Sequence, residues 1–305
     1  MKKFILNSAC FLSIILGIAI FLDFWISNKL QNNTARIFST WNYVYHNTNY
    51  NELIINGNSR AWVQYDPRIL DNVLKINTYN LGAANGMINR QIIRYDKYCE
   101  FHKSPAFLIQ NIDYFTMTSV YGYEVEQFYP YFYDREFLHT LDKYEKFSWQ
   151  EKYIPMYRYI GKSYLLRKSN DNLYKGFEGR DMHWNDDALN AIESFYAKVD
   201  TTMQTEFRKF LSNIQSNGTK ILFVYAPSYF KVLEKCENLD DMYDMYQAIA
   251  DEFGISILDY SYDLMCYDTT YFYNGTHLNK KGAELFTTKL AHDIDSIGFL
   301  KKITF

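Results

Sequence analysis

Two short fragments of this chain carry residue types that nucleophilic chemistry uses. In Ile54-Ile55-Asn56-Gly57-Asn58-Ser59-Arg60 an apolar run stops at a glycine with a serine just beyond, the pattern of a strand-to-helix turn. Near the C-terminus, Asn274-Gly275-Thr276-His277-Leu278-Asn279 supplies a histidine. A serine hydroxyl is a poor nucleophile until a base takes its proton, so Ser59 matters only if a histidine reaches it, and His277 is the candidate. Asn279 is placed to cap a helix whose buried face would hold Ala283, Phe286, Leu290 and Ile294, which gives His277 a rigid support. Arg60 either binds an anionic substrate group or pairs with a carboxylate near the strand end. Each pattern has an ordinary counterpart: serines cap helices, and histidines pack in cores.

The elements that must position these residues alternate short apolar runs with helical patterns, which predicts an α/β fold with a doubly wound parallel five-stranded sheet. The strands are expected at 52–56, 75–79, 106–110, 220–225 and 255–259. One helix is expected to show Phe195, Val199, Met203, Phe207, Leu211 and Ile214 on its apolar face and to close at Asn217-Gly218. A second, over about 239–253, presents Met242, Tyr246, Ile249 and Phe253 and stops at Gly254. Such sheets carry their sites beyond the carboxyl ends of the strands, where Ser59 and the 80–86 loop fall.

Met1-Lys2-Lys3 precedes a nearly uncharged stretch from Phe4 to Leu22, long enough to cross a bilayer at ~1.5 Å per residue. The run passes into Asp23-Phe24-Trp25-Ile26 without small residues at a cleavage site, which favours an uncleaved single-pass anchor over a signal peptide. More positive charge stands before the segment than the Lys29 and Arg36 that follow it, so the bulk of the chain is expected outside the cytoplasm, in the periplasm or at the cell surface. The expected organisation is an anchor at 1–27, a linker at 28–50 and one domain at 51–305. That domain would carry an aromatic-rich insertion at about 118–187, whose rings either wall a cleft and stack on sugars or pack a subdomain.

A net charge of -3 without a long basic run argues against nucleic acid as a partner. Cys10 lies in the apolar segment without a lipoprotein signature, and Cys99, Cys236 and Cys266 lack metal spacing, so neither a disulfide framework nor a metal site is expected, and no cofactor. The Asn217-Gly218-Thr219 and Asn274-Gly275-Thr276 matches to glycosylation acceptors read as accidental.

The order of blocks carries more weight than any one of them. After the Ser59 turn come Asn80-Leu81-Gly82-Ala83-Ala84-Asn85-Gly86 beyond the second strand, Gln110-Asn111-Ile112-Asp113 beyond the third, and the histidine loop after the fifth. This order resembles the SGNH or GDSL-like hydrolase superfamily, with its flavodoxin-like sandwich. It is similar above all to membrane-anchored members in O-acyl transfer on cell-surface polymers, among them the D-alanyl transfer protein and the alginate-type O-acetyltransferases. The resemblance implies Ser59 as nucleophile and His277 as general base, with the Ser59 and Gly82 amides and the Asn111 side chain as oxyanion donors. It puts Asn274 where the family has an aspartate three residues before the histidine, leaving three alternatives. They are a Ser-His dyad oriented by a backbone carbonyl, a substitute carboxylate such as Asp113 or Asp263, and a protein without catalysis. It also implies transfer or removal of an acyl group, most simply acetyl, on a cell-surface glycan hydroxyl, and, for transfer, a membrane-bound O-acyltransferase partner that exports the acyl group. A non-catalytic glycan-binding or assembly protein and a small-ester esterase are the alternatives.

Overall fold

The computed structural model describes residues 1–84, 86–117, 124–166 and 173–301. The chain divides into two compact units, one made of residues 1–43 and 121–171 and the other of residues 44–120 and 172–305.

The larger unit is built on a five-stranded sheet. Its strands are β1 (Leu53–Asn56), β2 (Thr78–Asn80), β3 (Phe107–Ile112) and the strands Lys220–Tyr225 and Ser256–Asp259. They stand in the order β2, β1, β3, Lys220–Tyr225, Ser256–Asp259, every neighbouring pair parallel. This is the expected doubly wound sheet. Every residue of β1, β2 and β3 is buried, as strands covered on both faces require. The strand β3 runs on through Asn111 and Ile112, paired with Val224 and Tyr225, two residues past its expected end.

The helix Leu239–Phe253 forms where periodicity placed it, with Met242, Tyr246 and Ile249 buried and Gly254 as a left-handed cap at φ 62°. The helix expected from Phe195 instead starts at Thr201, because Asp200 accepts from the Thr202 and Met203 amides and fixes the first turn there. Phe195 lies outside it, paired with Cys236 in an isolated bridge.

The smaller unit contains α1 (Lys2–Gln31), most of α2 (Arg36–His46) and the helices Arg135–Leu141 and Trp149–Tyr153. The helix α1 is long and apolar enough to cross a membrane, a property that anchors and signal sequences share. Residues expected to be a linker fold as α2, because Phe38 and Trp41, three apart, present one apolar face. Trp41 packs its ring centroid 5.1 Å from Phe137 and 5.5 Å from Phe128, and its Nε1 donates to Gln127 Oε1 at 2.8 Å. The rings of Phe128, Tyr129 and Tyr131 are thus core of this unit rather than lining of a cleft. Asp23 and Ser27 on α1 are also buried here.

Candidate active site

The helix α3 (Ser59–Gln64) follows the turn at the end of β1. Asn58 caps it by accepting from the Arg60 amide at 2.9 Å, and its Nδ2 donates to Asp113 Oδ2 at 2.6 Å. Gly57 is required by close approach, since a Cβ there would stand 2.5 Å from Ala61 Cβ and 2.8 Å from Asn111 Cβ. Beneath the turn, Arg94 on the helix Ile88–Phe101 donates to the Gly57 carbonyl at 2.8 Å. Burial, with Arg90 close by, lowers the Arg94 pKa to about 9.

The histidine arrives on a two-strand hairpin, Phe272–Asn274 against His277–Leu278, followed directly by the helix Lys280–Ser296. Asn279 caps that helix by accepting from the Gly282 amide at 3.0 Å, and Ala283, Phe286, Leu290 and Ile294 are buried on it as expected. Thr287 on the same helix donates from its Oγ1 to Gln64 O and accepts from Asp66 N, both at 3.0 Å. The helix that starts after the base is therefore pinned to the end of the helix that starts with the serine.

The result brings Ser59 Oγ to 2.8 Å from His277 Nε2 across 218 residues of chain. On the far side of the ring, Nδ1 lies 3.0 Å from Asn274 Oδ1 and 2.9 Å from Thr276 Oγ1. The Tyr273 ring stacks on the imidazole at 5.4 Å with 5° between planes. Asn274 Oδ1 also accepts from the backbone amides of Thr276 and His277, each at 3.0 Å. Only an oxygen accepts two N–H groups, so these bonds fix which end of the amide faces the ring. Nδ1 then carries the proton, and Nε2 is left as the acceptor for the serine hydroxyl. Asn274 thus does the orienting work of a carboxylate without its charge. Enclosure of the ring, then the charges of Arg60 and Arg180, push the His277 pKa from 6.5 down to about 3.

Neither candidate substitute carboxylate occupies the Asn274 position. Asp113 is fully buried, holds Asn58, accepts from the Phe115 and Thr116 amides and stands 3.9 Å from Arg60 Nη1. Asp263 caps Met265 and pairs with Lys289, which holds its carboxyl below the usual range against the opposing effect of burial. Arg60 donates to the Ala226 carbonyl as well as facing Asp113, so its guanidinium is engaged within the fold.

Of the expected oxyanion donors, Ser59 N is the first amide of α3 and has no intrahelical acceptor. The Gly82 amide donates to Asn80 Oδ1 at 2.8 Å. Asn111 is fully buried, accepting from Tyr65 OH at 2.7 Å, because the longer β3 keeps its side chain in the core. Gly86 lies against the nucleophile turn, where a Cβ would be 3.2 Å from Gly57 O. Asn85 lies outside the described residues.

Arg180 stands outside every sequence motif that pointed to the site. Residues 173–187 were expected in the aromatic insertion, yet they belong to the sheet unit through a hairpin of Leu173–Tyr174 and Phe177–Glu178. Lys175 and Gly176 make its turn at φ 47° and 83°, and Lys175 O accepts from Asn80 N at 2.9 Å. The hairpin leads to Arg180, which lies 4.8 Å over the Trp62 ring, pairs with Glu178 at 3.1 Å and leaves its Nε unpartnered. A Lys-Gly dipeptide between alternating residues was the available signal.

No family model matches the chain, and no curated protein matches it. A solved structure described as a "putative acylhydrolase" from Bacteroides fragilis is similar at a TM-score of 0.40 and 11% identity, over 79% of this chain and 86% of that one. At that level of similarity the chemistry has to be read from the site's own geometry.

Proposed function

We propose that this protein is a membrane-held serine acyltransferase or esterase, working outside the cytoplasm on a hydroxyl of a cell-surface glycan, with acetyl as the simplest acyl group. The observation that carries the reading is the 2.8 Å contact of Ser59 Oγ with His277 Nε2, backed by Asn274 Oδ1 on Nδ1. Ser59 Oγ attacks the ester carbonyl while its proton passes to Nε2, and the carbonyl electrons move to an oxyanion. The C–O bond to the leaving alcohol then breaks as Nε2–H returns the proton, leaving acyl-Ser59. Water or a sugar hydroxyl resolves it by the same path in reverse. The Ser59 amide faces the oxyanion, with the Gly86 loop adjoining. The chemistry calls on no cofactor. Transfer requires an acyl donor outside the membrane, so a membrane-bound O-acyltransferase is the expected partner.

A second reading, a non-catalytic glycan-binding or assembly protein, draws on the missing carboxylate and on the Gly82 amide already held by Asn80. One experiment separates them. Full-length protein in detergent is incubated with activated acyl esters, and intact masses of wild type, Ser59→Ala and His277→Ala are compared. An adduct on wild type that is absent from Ser59→Ala supports the enzyme, and no adduct with any ester sinks it.

A further inference from the structure

The smaller unit holds a groove of about 240 Å³ beside the end of the apolar helix, lined by Ile20 and Asp23 of α1 and by Arg135, Lys152, Tyr153, Ile154 and Arg158. Its floor is a clamp on the helix. Asp23 accepts from Arg158 Nη2, from Tyr133 OH at 2.6 Å and from the Met156 amide at 2.7 Å, and Ser27 Oγ lies 2.8 Å from Tyr159 OH. The Asp23 carboxylate answers Arg158 alone. Lys152 reaches Asp142 at 3.0 Å, outside the lining, while Arg135 has no ionic partner among the described residues. Arg158 is itself 95% buried by area, at 5% exposure, yet its Nε has no hydrogen-bond partner. The lining therefore holds three cations and one carboxylate, Arg158 answered by Asp23 and Lys152 by Asp142, which leaves Arg135 as the cation without an ionic partner among the described residues, beside exposed apolar surface on Tyr153 and Ile154.

Depth decides what such a groove receives. The apolar stretch Phe4–Leu22 has a length of ~28 Å at ~1.5 Å per residue, about one hydrocarbon core. Ile20 and Asp23 then stand where hydrocarbon gives way to headgroups, beside the exposed aromatic rings of Phe21, Phe24 and Trp25. We infer that this groove binds the headgroup of an anionic phospholipid from the bilayer around α1, its phosphate between Arg135 and Lys152 and its acyl chains running along α1 past Ile20. The inference rests on α1 remaining in the membrane, and it is independent of the chemistry at Ser59. Basic recesses at the ends of spanning helices favour anionic lipid in this way.

The test is native mass spectrometry of the full-length protein in uncharged detergent, titrated with phosphatidylglycerol and phosphatidylcholine of the same acyl chains. Phosphatidylglycerol is expected to be retained at roughly tenfold lower concentration. The double variant Arg135→Gln/Lys152→Gln, and separately Arg135→Glu, should lose most of that preference. Lys143→Gln/Lys146→Gln, outside the groove, should keep it. Equal retention of both lipids by wild type, an unchanged preference in the groove variants, or an equal loss in the control pair overturns the proposal. So does binding of soluble glycerol phosphate as tight as that of the lipid. Ser59 adduct formation is read on the same samples and should be alike in all of them, which keeps this outcome separate from the fate of the catalytic reading.

Discussion

An imidazole whose basicity has been pushed down to about 3 is neutral at every physiological pH, so it is always free to accept a proton and always reluctant to keep it. The pH dependence of Ser59 acylation follows with a definite sign. The active form of the base exists above its pKa, so the acid limb should lie well below 6.5, and a limb at or above 6.5 in burst amplitudes against pH would contradict the geometry. Stability runs the other way. Between 6.5 and about 3 the unfolded chain binds a proton that the folded ring does not, so His277 makes the fold less stable as pH falls through that window. Asn274→Asp places a carboxylate 3.0 Å from Nδ1, where the amide oxygen now stands. It should raise the His277 pKa and speed acylation at neutral pH by about tenfold or more, since the reverse change in serine proteases costs about four orders of magnitude. Arg180→Met should move the acid limb in the same direction by less, because it removes one cation and adds no anion.

At the scale of elements, the residue whose backbone matters most outside the catalytic loops is Gly176. It sits at φ 83°, and a Cβ there would come within 1.8 Å of the Asn80 carbonyl oxygen. Gly218 has nearly the same φ, 81°, and no atom within 4 Å of its would-be Cβ. Gly176→Ala should therefore cost clearly more than Gly218→Ala, which carries only left-handed strain of ~1 kcal/mol or somewhat above. Urea midpoints of the two variants check this, and equal midpoints would show that the hairpin does not press on β2. Apolar runs and caps located the five strands, though β2 starts at Thr78 rather than at Lys75, which ends the preceding helix in the left-handed conformation, and they located the Leu239–Phe253 helix and the Asn279 cap, because those depend on local periodicity and side-chain-to-backbone bonds. The pairing of Ser59 with His277 was suggested by motif order. Arg180, the engaged Gly82 amide and the buried Asn111 were out of reach, since each depends on which backbone lies alongside another: the hairpin on β2, Asn80 on the second loop, β3 running on beside Lys220–Tyr225.

For the molecule as a whole, the last turns of α1 supply core to the smaller unit. Asp23 is 1% exposed and is the acidic partner of Arg158, whose guanidinium is also stacked against Phe132, Tyr133 and Tyr159 at 5.4, 5.5 and 4.9 Å. Removing one partner of a buried pair leaves an uncompensated charge at a cost of about 3–5 kcal/mol, whereas replacing both with apolar groups is often close to neutral. Asp23→Leu should thus destabilise the 124–166 segment strongly, and Asp23→Leu/Arg158→Leu should recover most of the loss. The measurement is protease resistance of that segment in full-length protein held in detergent. Truncation after Ser27 should behave like Asp23→Leu, because it strands Arg158 in the same way while Ser59 and His277 keep every contact drawn above from the larger unit. Resistance left unchanged by Asp23→Leu would mean that the helix merely passes by and that the clamp contributes nothing. Resistance lost in Asp23→Leu and restored in the double variant would mean that the unit was built around a helix meant to stay.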